Sequence, residues 1–375
     1  MLAPKLVFDT LKGHDVDFFT GVPDSLLKDF CAFISDNAAA DDHVIAANEG
    51  NAIALAAGHY LASGNPALVY MQNSGLGNSV NPLLSLADPE VYSIPMLLLI
   101  GWRGEPGKKD EPQHIKQGKV TIDLLNAVGI PYSILPSLPA EAVSSIERGI
   151  AATKKNKAPF ALVVPAGVFE KYKATSQQAA CPYQISREEA IQTIVNTLGE
   201  KDIVVCTTGK ASRELFEYRE KKNAGFHRDF LTVGSMGHAS HIALGIALTK
   251  KNRTVYCLDG DGAALMHLGG LAIIGCRKPP HFKHILLNNG SHESVGAQPT
   301  VGYQTDFIAI ARACGYSSAV SVKTTPELIA ALAGQKLLTG PVFLEVRISA
   351  SSRKDLRRPS RSPLQNKQDF MEFLK

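Results

Sequence analysis

"CLDGDGAALMHLGG", residues 257–270, sets one carboxylate, Asp261, between two glycines where the apolar run 254–258 ends and a helix-like pattern begins. Open α/β sheets bind ligands beyond the carboxyl ends of their strands, so this turn is where a site is expected. A dinucleotide fingerprint would need G-x-G-x-x-G here, and a P-loop would need Lys followed by Ser or Thr; "GDGAAL" has neither. What remains is a glycine turn that lets backbone approach a phosphate, plus one hard carboxylate. That combination suits a divalent ion bridging protein and diphosphate.

A second oxygen donor should then come from a neighbouring strand end. "HILLNNGSHES" (284–294) supplies Asn288 and Asn289, 27 and 28 residues after Asp261, about one helix plus one strand further on. A carboxylate, an amide oxygen and a backbone carbonyl leave room for water and phosphate oxygens in an octahedral Mg2+ shell.

Outward from this centre, strand-like runs alternate with helical stretches along the whole chain. The first half carries "VDFFTGV", "HVIAAN", "ALVYMQ", "PMLLLIG", "PYSIL" and "FALVVP"; the second carries "DIVVCT", "DFLTV", "RTVYCLD", "KHILLNN", "SSAVSV" and "PVFLEV". Such alternation predicts parallel βαβ units with helices on both faces of a sheet. The pattern lapses over 166–183, which reads as a linker. Ser186 with Glu189, and Thr324 with Glu327, have capping-box spacing at helix starts. The fold expected is α/β: two similar domains, 1–170 and 186–375, joined by a linker at 171–185, with a basic tail after "PVFLEV". No residue-level repeat relates the halves.

At 375 residues the chain is long enough for two cores. Its longest apolar stretch, "IPMLLLIGW" (94–102), is too short to span a bilayer, and the N-terminus lacks signal-peptide features, so a cytoplasmic, membrane-free protein is expected. Six scattered cysteines without a CxxC point to buried free thiols rather than disulfides or zinc. A net charge of +4 is too weak to argue for nucleic acid and suits a small anionic substrate. The pairs His238/His241 and His281/His284 have no third ligand at matching spacing and are discounted as metal sites.

GDG followed by NN resembles the diphosphate-binding signature of thiamin diphosphate enzymes. The resemblance implies thiamin diphosphate and Mg2+ as cofactors, with Asp261, Asn289 and the carbonyl of Ser291 as metal ligands. "VGSMGHASHIALGIAL" resembles the segment whose bulky apolar residue, here Met236, props the cofactor into a bent shape. Ser235, Gly260, Gly262, Ala263 and Asn289 fall at cofactor-contacting positions, as do Gly209 and Lys210 of "TTGKASREL". The family also uses a glutamate from its pyrimidine-binding domain. "AANEGNAIALAAGHYLASG" offers Glu49, whose carboxyl, facing the aminopyrimidine, would promote removal of the thiazolium proton. Glutamate and diphosphate site usually come from different subunits, so a homo-oligomer with active sites at the subunit interface is implied. No segment corresponds to the middle domain of longer members.

Within the family, "GVPDSLLKDF" (21–30), "MQNSGLGNSVNPLLSL" (71–86) and "GWRGEPGKKDEPQHIKQG" (101–118) resemble the branch that decarboxylates 3-phosphonopyruvate to phosphonoacetaldehyde in phosphonate biosynthesis, and somewhat less the sulfopyruvate branch. The last loop gathers Arg103, Lys108, Lys109, His114, Lys116 and Lys119, and an Arg can grip a phosphonate bidentately. Asp24, Arg103, Gln113 and His114 are the expected substrate contacts. Asp24 and His114 are the candidates for proton transfer, and Asn73 for hydrogen bonding to the cofactor. One departure is "DLRRP" (355–359), where Arg357 replaces an expected Gly. A non-catalytic subunit of the same fold would not need Glu49, Asp261 and Asn289 together, and a nicotinamide dehydrogenase lacks its fingerprint.

Overall fold

The computed structural model describes residues 1–175 and 181–375. The chain divides into two compact units: Met1–Gln178 with Val295–Gln298, and Ala179–Ser294 with Pro299–Lys375. The centre of the expected linker, 176–180, lies outside the described residues.

The first unit is built on strands β1 (Phe19–Gly21), β2 (His43–Ile45), β3 (Ala67–Gln72), β4 (Met96–Gly101), β5 (Tyr132–Ile134) and β6 (Phe160–Val164). They form one sheet in the order β2-β1-β3-β4-β6-β5, every pairing parallel. Both faces are covered: Leu97 and Leu99 pack into one apolar cluster with Phe19, Phe30 and Tyr70, while Met96, Leu98 and Ile100 pack into another with Ile53 and Val69. Burial on both faces is why these strands read as unbroken apolar runs.

The second unit follows with β7 (Ile203–Cys206), β8 (Asp229–Leu231), β9 (Val255–Gly260), β10 (Phe282–Asn288), the short β11 (Ser291–His292) and β12 (Gln298–Pro299), β13 (Ser318–Val322) and β14 (Val342–Arg347). Its main sheet runs β13-β14-β10-β9-β7-β8, again all parallel. Counted within its own unit and read from the other edge, this is 2-1-3-4-6-5, the order of the first unit. The halves thus share a topology that no residue-level repeat betrays.

The Thr324/Glu327 capping box forms, with Pro326 in the first turn of Thr325–Lys336. At Ser186 only the forward half forms: its hydroxyl accepts from Glu189 N at 3.1 Å, while the Glu189 carboxylate accepts from Thr325 Oγ1 at 2.6 Å. The six cysteines are free, but the expectation of burial holds only for Cys31, Cys206 and Cys257; Cys276 is exposed, because it lies on the outer side of Gly270–Arg277.

The basic tail is ordered by ion pairs. Arg353 reaches Glu188 at 2.9 Å and also pairs with Glu217. Arg357 donates its backbone N–H to Glu217 and its guanidinium to Glu220 at 2.9 Å, so the residue in place of glycine forms an added clasp. Beyond it a Ser362/Gln365 capping box with Pro363 opens the helix Pro363–Phe373. There Asn366 accepts from Leu231 N at 3.0 Å and donates to Asp229 O at 2.8 Å, satisfying backbone groups of the edge strand β8.

Candidate active site

In the second unit, β9 ends at Gly260 and the helix Asp261–Met266 starts at once, as the glycine-flanked acid implied. Asp261 is buried, and burial pushes its carboxyl up to about 6. Its partners are all neutral: Asn289 N donates to Oδ1 at 3.3 Å, the Thr300 hydroxyl donates to Oδ2, and the backbone N–H groups of Asp261 and Gly262 add to them. β10 runs beside β9, with Leu287 opposite Gly260, and so carries Asn288 and Asn289 to the same sheet end. Asn288 turns inward, donating to Gly302 O at 2.8 Å and Glu345 Oε1 at 2.7 Å. Asn289 is left facing Asp261. Its Oδ1 accepts from Ser291 N at 3.1 Å, its Nδ2 donates to Glu293 Oε2 at 3.3 Å, and the buried Ser291 Oγ has no partner.

This donor set fits a divalent cation. A buried carboxylate without a counter-cation, a neighbouring amide oxygen and an unpaired hydroxyl are hard oxygen donors of the kind Mg2+ takes. The Met236 methyl lies 3.3 Å from where a Cβ on Gly262 would stand, and the His292 ring lies 2.9 Å from it, so both overhang the turn. Ser235 has a φ of 51°, which bends the chain just before Met236. Gly262 and Ala263 are buried in the turn's helix. Gly209, φ 100°, precedes the helix Lys210–Lys221. Lys210 Nζ is held by Glu293 Oε1 at 3.0 Å and Ser352 Oγ at 2.6 Å. Glu293 also takes a 2.5 Å hydrogen bond from the buried Arg187; burial opposes its charge, but Arg187 and Lys210 bring its pKa down to about 2.

In the first unit, Asn48 caps Glu49–Ser63, accepting from Gly50 N, and Glu49 opens that helix buried. Its Oε2 accepts from Asn78 Nδ2 at 2.7 Å. Glycine at position 75 leaves room for this carboxylate: a Cβ there would sit 2.5 Å from Glu49 Oε1 and displace it.

A second group gathers at the ends of β1, β3 and β4. Asp24 is fully buried; Gln72 Nε2 donates to its Oδ1 at 2.6 Å and Leu26 N to its Oδ2 at 2.9 Å, yet burial still raises its pKa. Asn73 is a strut rather than a free cofactor donor. Its Nδ2 donates to Arg103 O at 2.8 Å and Thr121 Oγ1 at 2.9 Å, and its Oδ1 accepts from Arg103 N at 3.2 Å, which commits both N–H bonds. His114, in the first turn of Pro112–Ala127, is buried, and burial with the nearby Arg103 charge lowers its pKa to about 4. Gln113 Nε2 stands 3.5 Å from His114 Nε2. Gly104 and Gly118 press backbone to backbone, so that a Cβ on either would overlap the other's segment; this locks the Arg103 loop to the helix carrying His114.

The Arg103 fork is occupied. Its Nε and Nη2 donate to the two oxygens of Asp110 at 2.8 and 2.5 Å, and its Nη1 donates to Ser25 Oγ at 2.8 Å. Lys108 pairs with Glu105 at 2.6 Å. Gln72, Asn78, Asp110, Glu293 and Thr300 were not expected from the sequence, although Gln72 and Asn78 lie in 71–86, Asp110 in 101–118 and Glu293 in 284–294. His284, discounted on spacing, lies beside Asp259 and Cys257, ligand atoms within 4.8 Å, because β9 and β10 pair. Its Nδ1 is 3.0 Å from Tyr316 OH.

The family model "Thiamine pyrophosphate enzyme, N-terminal TPP binding domain" matches residues 1–125, and "Thiamine pyrophosphate enzyme, C-terminal TPP binding domain" matches 207–346. The phosphonopyruvate decarboxylase of Streptomyces hygroscopicus is 35% identical over 97% of this chain and 92% of its own, and that of Streptomyces viridochromogenes 34% over 97% and 93%. The sulfopyruvate decarboxylase of Methanosarcina acetivorans is 28% identical over 91% and 89%. No helix among the described residues is long and apolar enough to cross a membrane. The chain belongs to the thiamin diphosphate-dependent 2-oxo acid decarboxylases.

Proposed function

We propose that the protein decarboxylates 3-phosphonopyruvate to phosphonoacetaldehyde and carbon dioxide, with Mg2+ holding the cofactor's diphosphate. The observation that carries this reading is the buried Asp24–Gln72 pair beside the Arg103 fork and a neutral His114, an arrangement suited to a small keto acid with an anionic end. The phosphonopyruvate decarboxylases among its relatives support it. Residues 1–170 take the pyrimidine-binding role and 186–375 the diphosphate-binding role, in a cytoplasmic homo-oligomer whose subunits share active sites.

Bound thiamin diphosphate supplies the nucleophilic carbon and the electron sink for loss of carbon dioxide. Asp261, Asn289 and the carbonyl of Ser291 would hold the cation, while Gly260, Gly262 and Ala263 would let backbone approach the diphosphate. Glu49, fixed by Asn78, would face the cofactor's aminopyrimidine and exchange a proton with it. Asp24, held by Gln72, and neutral His114 are the groups placed to move protons at the substrate's keto oxygen and reacting carbon. Loss of carbon dioxide makes the step effectively irreversible, which suits an enzyme placed after an unfavourable carbon–phosphorus bond-forming rearrangement.

The test is incubation with thiamin diphosphate, Mg2+ and phosphonopyruvate, assaying phosphonoacetaldehyde and carbon dioxide, beside a parallel run with sulfopyruvate. Absence of product refutes the reading, and a large preference for sulfopyruvate transfers it to that substrate.

A further inference from the structure

Asp110 receives more donors than any ordinary loop carboxylate needs. Besides the Arg103 fork, Gly104 N donates to its Oδ2 and Glu111 N to its Oδ1, both at 2.7 Å. Two guanidinium N–H groups and two backbone N–H groups converging on one small anion make an anion-binding nest. Arg103 and Asp110 are largely shielded from water, with side chains 18% and 15% exposed. Arg103 also lies close enough to the buried Asp24 and to His114 for its charge to act on both. The nest is therefore part of the substrate end of the first unit, and the chain's own carboxylate fills it.

We infer that Asp110 is an internal competitor for the substrate's anionic group and sets the preference for a dianion over a monoanion at Arg103. The inference rests on the reading of Arg103 as the phosphonate-binding residue. Asp110 brings one negative charge and sits there without losing translational freedom, so an incoming monoanion such as a sulfonate gains little by replacing it. A phosphonate above its second ionisation brings close to two charges and three acceptor oxygens, and it outcompetes the carboxylate. Displaced, Asp110 remains on a loop with Lys108 and Lys109 as its neighbours in sequence. Asp110 acts here as a positioning and specificity residue; it performs no chemistry.

Trp102 is the one tryptophan of the chain, stands next to Arg103 and donates to Gly118 O at 2.8 Å, so its fluorescence reports on this nest. The full-length protein loaded with cofactor and Mg2+ is titrated at pH 8.5 with methylphosphonate and with methanesulfonate, by fluorescence and by calorimetry on the same samples. The wild type is expected to bind methylphosphonate at least about tenfold more tightly. In Asp110→Asn, which keeps an acceptor and removes the charge, both ions bind more tightly, methanesulfonate gains more, and the ratio narrows to within about threefold. Asp110→Ser follows the same direction, and Arg103→Lys loses binding of both. An unchanged ratio in both Asp110 variants overturns the inference, as does failure of the wild type to bind methylphosphonate. If the ratios shift as expected while phosphonopyruvate yields no product, the proposed reaction fails and the nest stands.

Discussion

Asn289 donates its side-chain N–H to Glu293 Oε2 at 3.3 Å, and the same carboxylate oxygen takes a 2.5 Å hydrogen bond from Arg187. The amide is thereby oriented from behind, with its oxygen on the side of Ser291 N. Groups that orient a metal ligand typically matter 10- to 100-fold in metal affinity. Glu293→Gln is expected to raise the Mg2+ concentration needed for half-maximal cofactor binding by about that factor. Superimposable Mg2+ titrations would remove Glu293 from this role.

Glu49→Gln keeps the size of the side chain and removes the carboxyl proton chemistry. Turnover should fall by about 100- to 10,000-fold, the range of a lost acid–base group, while thiamin diphosphate still binds. Asn78→Ala, which frees the carboxylate from its 2.7 Å hydrogen bond, should give a smaller loss in the same direction. Normal turnover by the Gln variant would refute the assignment. Single-turnover and binding measurements separate the two effects.

Burial lowers the pKa of His43 to about 4, and burial with the Arg103 cation does the same for His114. In the unfolded chain both protonate near 6.5. Between those values the unfolded state binds more protons, so these two groups destabilise the fold as pH falls from about 6.5 towards 4 and leave it unaffected above that window. The Tm–pH profile of His43→Gln/His114→Gln should be flatter than the wild type's across this window. Parallel profiles would contradict it.

Arg219 and Asp229 form a bidentate pair at 2.8 and 2.9 Å, the arginine side chain 1% exposed and the aspartate 0%. Asp229→Ala strands a buried guanidinium and should cost about 3–5 kcal/mol in denaturant unfolding. A loss below about 1 kcal/mol would mean that water or another group reaches Arg219.

The Arg357 clasp is the opposite case. Its guanidinium is largely exposed, so Arg357→Gly should change stability by less than about 1 kcal/mol, and added salt should erase most of the difference. A larger, salt-independent loss in thermal melts would give the tail a packing role.

The strands of the two main sheets were legible as short apolar runs: β3, β4, β6, β7, β9, β10 and β14 are buried almost throughout, whereas the edge strands β2, β5 and β13 are only partly covered. The approach of Asp261 and Asn289 was legible because both sit at strand ends, where spacing along the chain maps onto distance across a parallel sheet. Polar groups joined by tertiary approach were not. Asp110 lies in a loop singled out for its basic residues, and Thr300 reaches Asp261 from 39 positions away with no pattern between them. Asn73 was legible as a polar residue at a strand end, but not as a strut, because its partners are backbone atoms of Arg103 and the Thr121 hydroxyl, 30 and 48 positions away. The GDG and NN spacing identified the cofactor's anchor; the side chains that brace the anchor carry no periodic signature.

The identical strand order of the two units has a consequence for how the enzyme is made. Each unit buries its own pair of apolar layers, so neither needs the other's side chains to complete a core. One half matches the N-terminal and the other the C-terminal TPP binding domain, and a thiamin diphosphate enzyme needs both in equal number. Writing the two halves as one chain fixes their ratio at translation, so that no copy of one half accumulates without its counterpart.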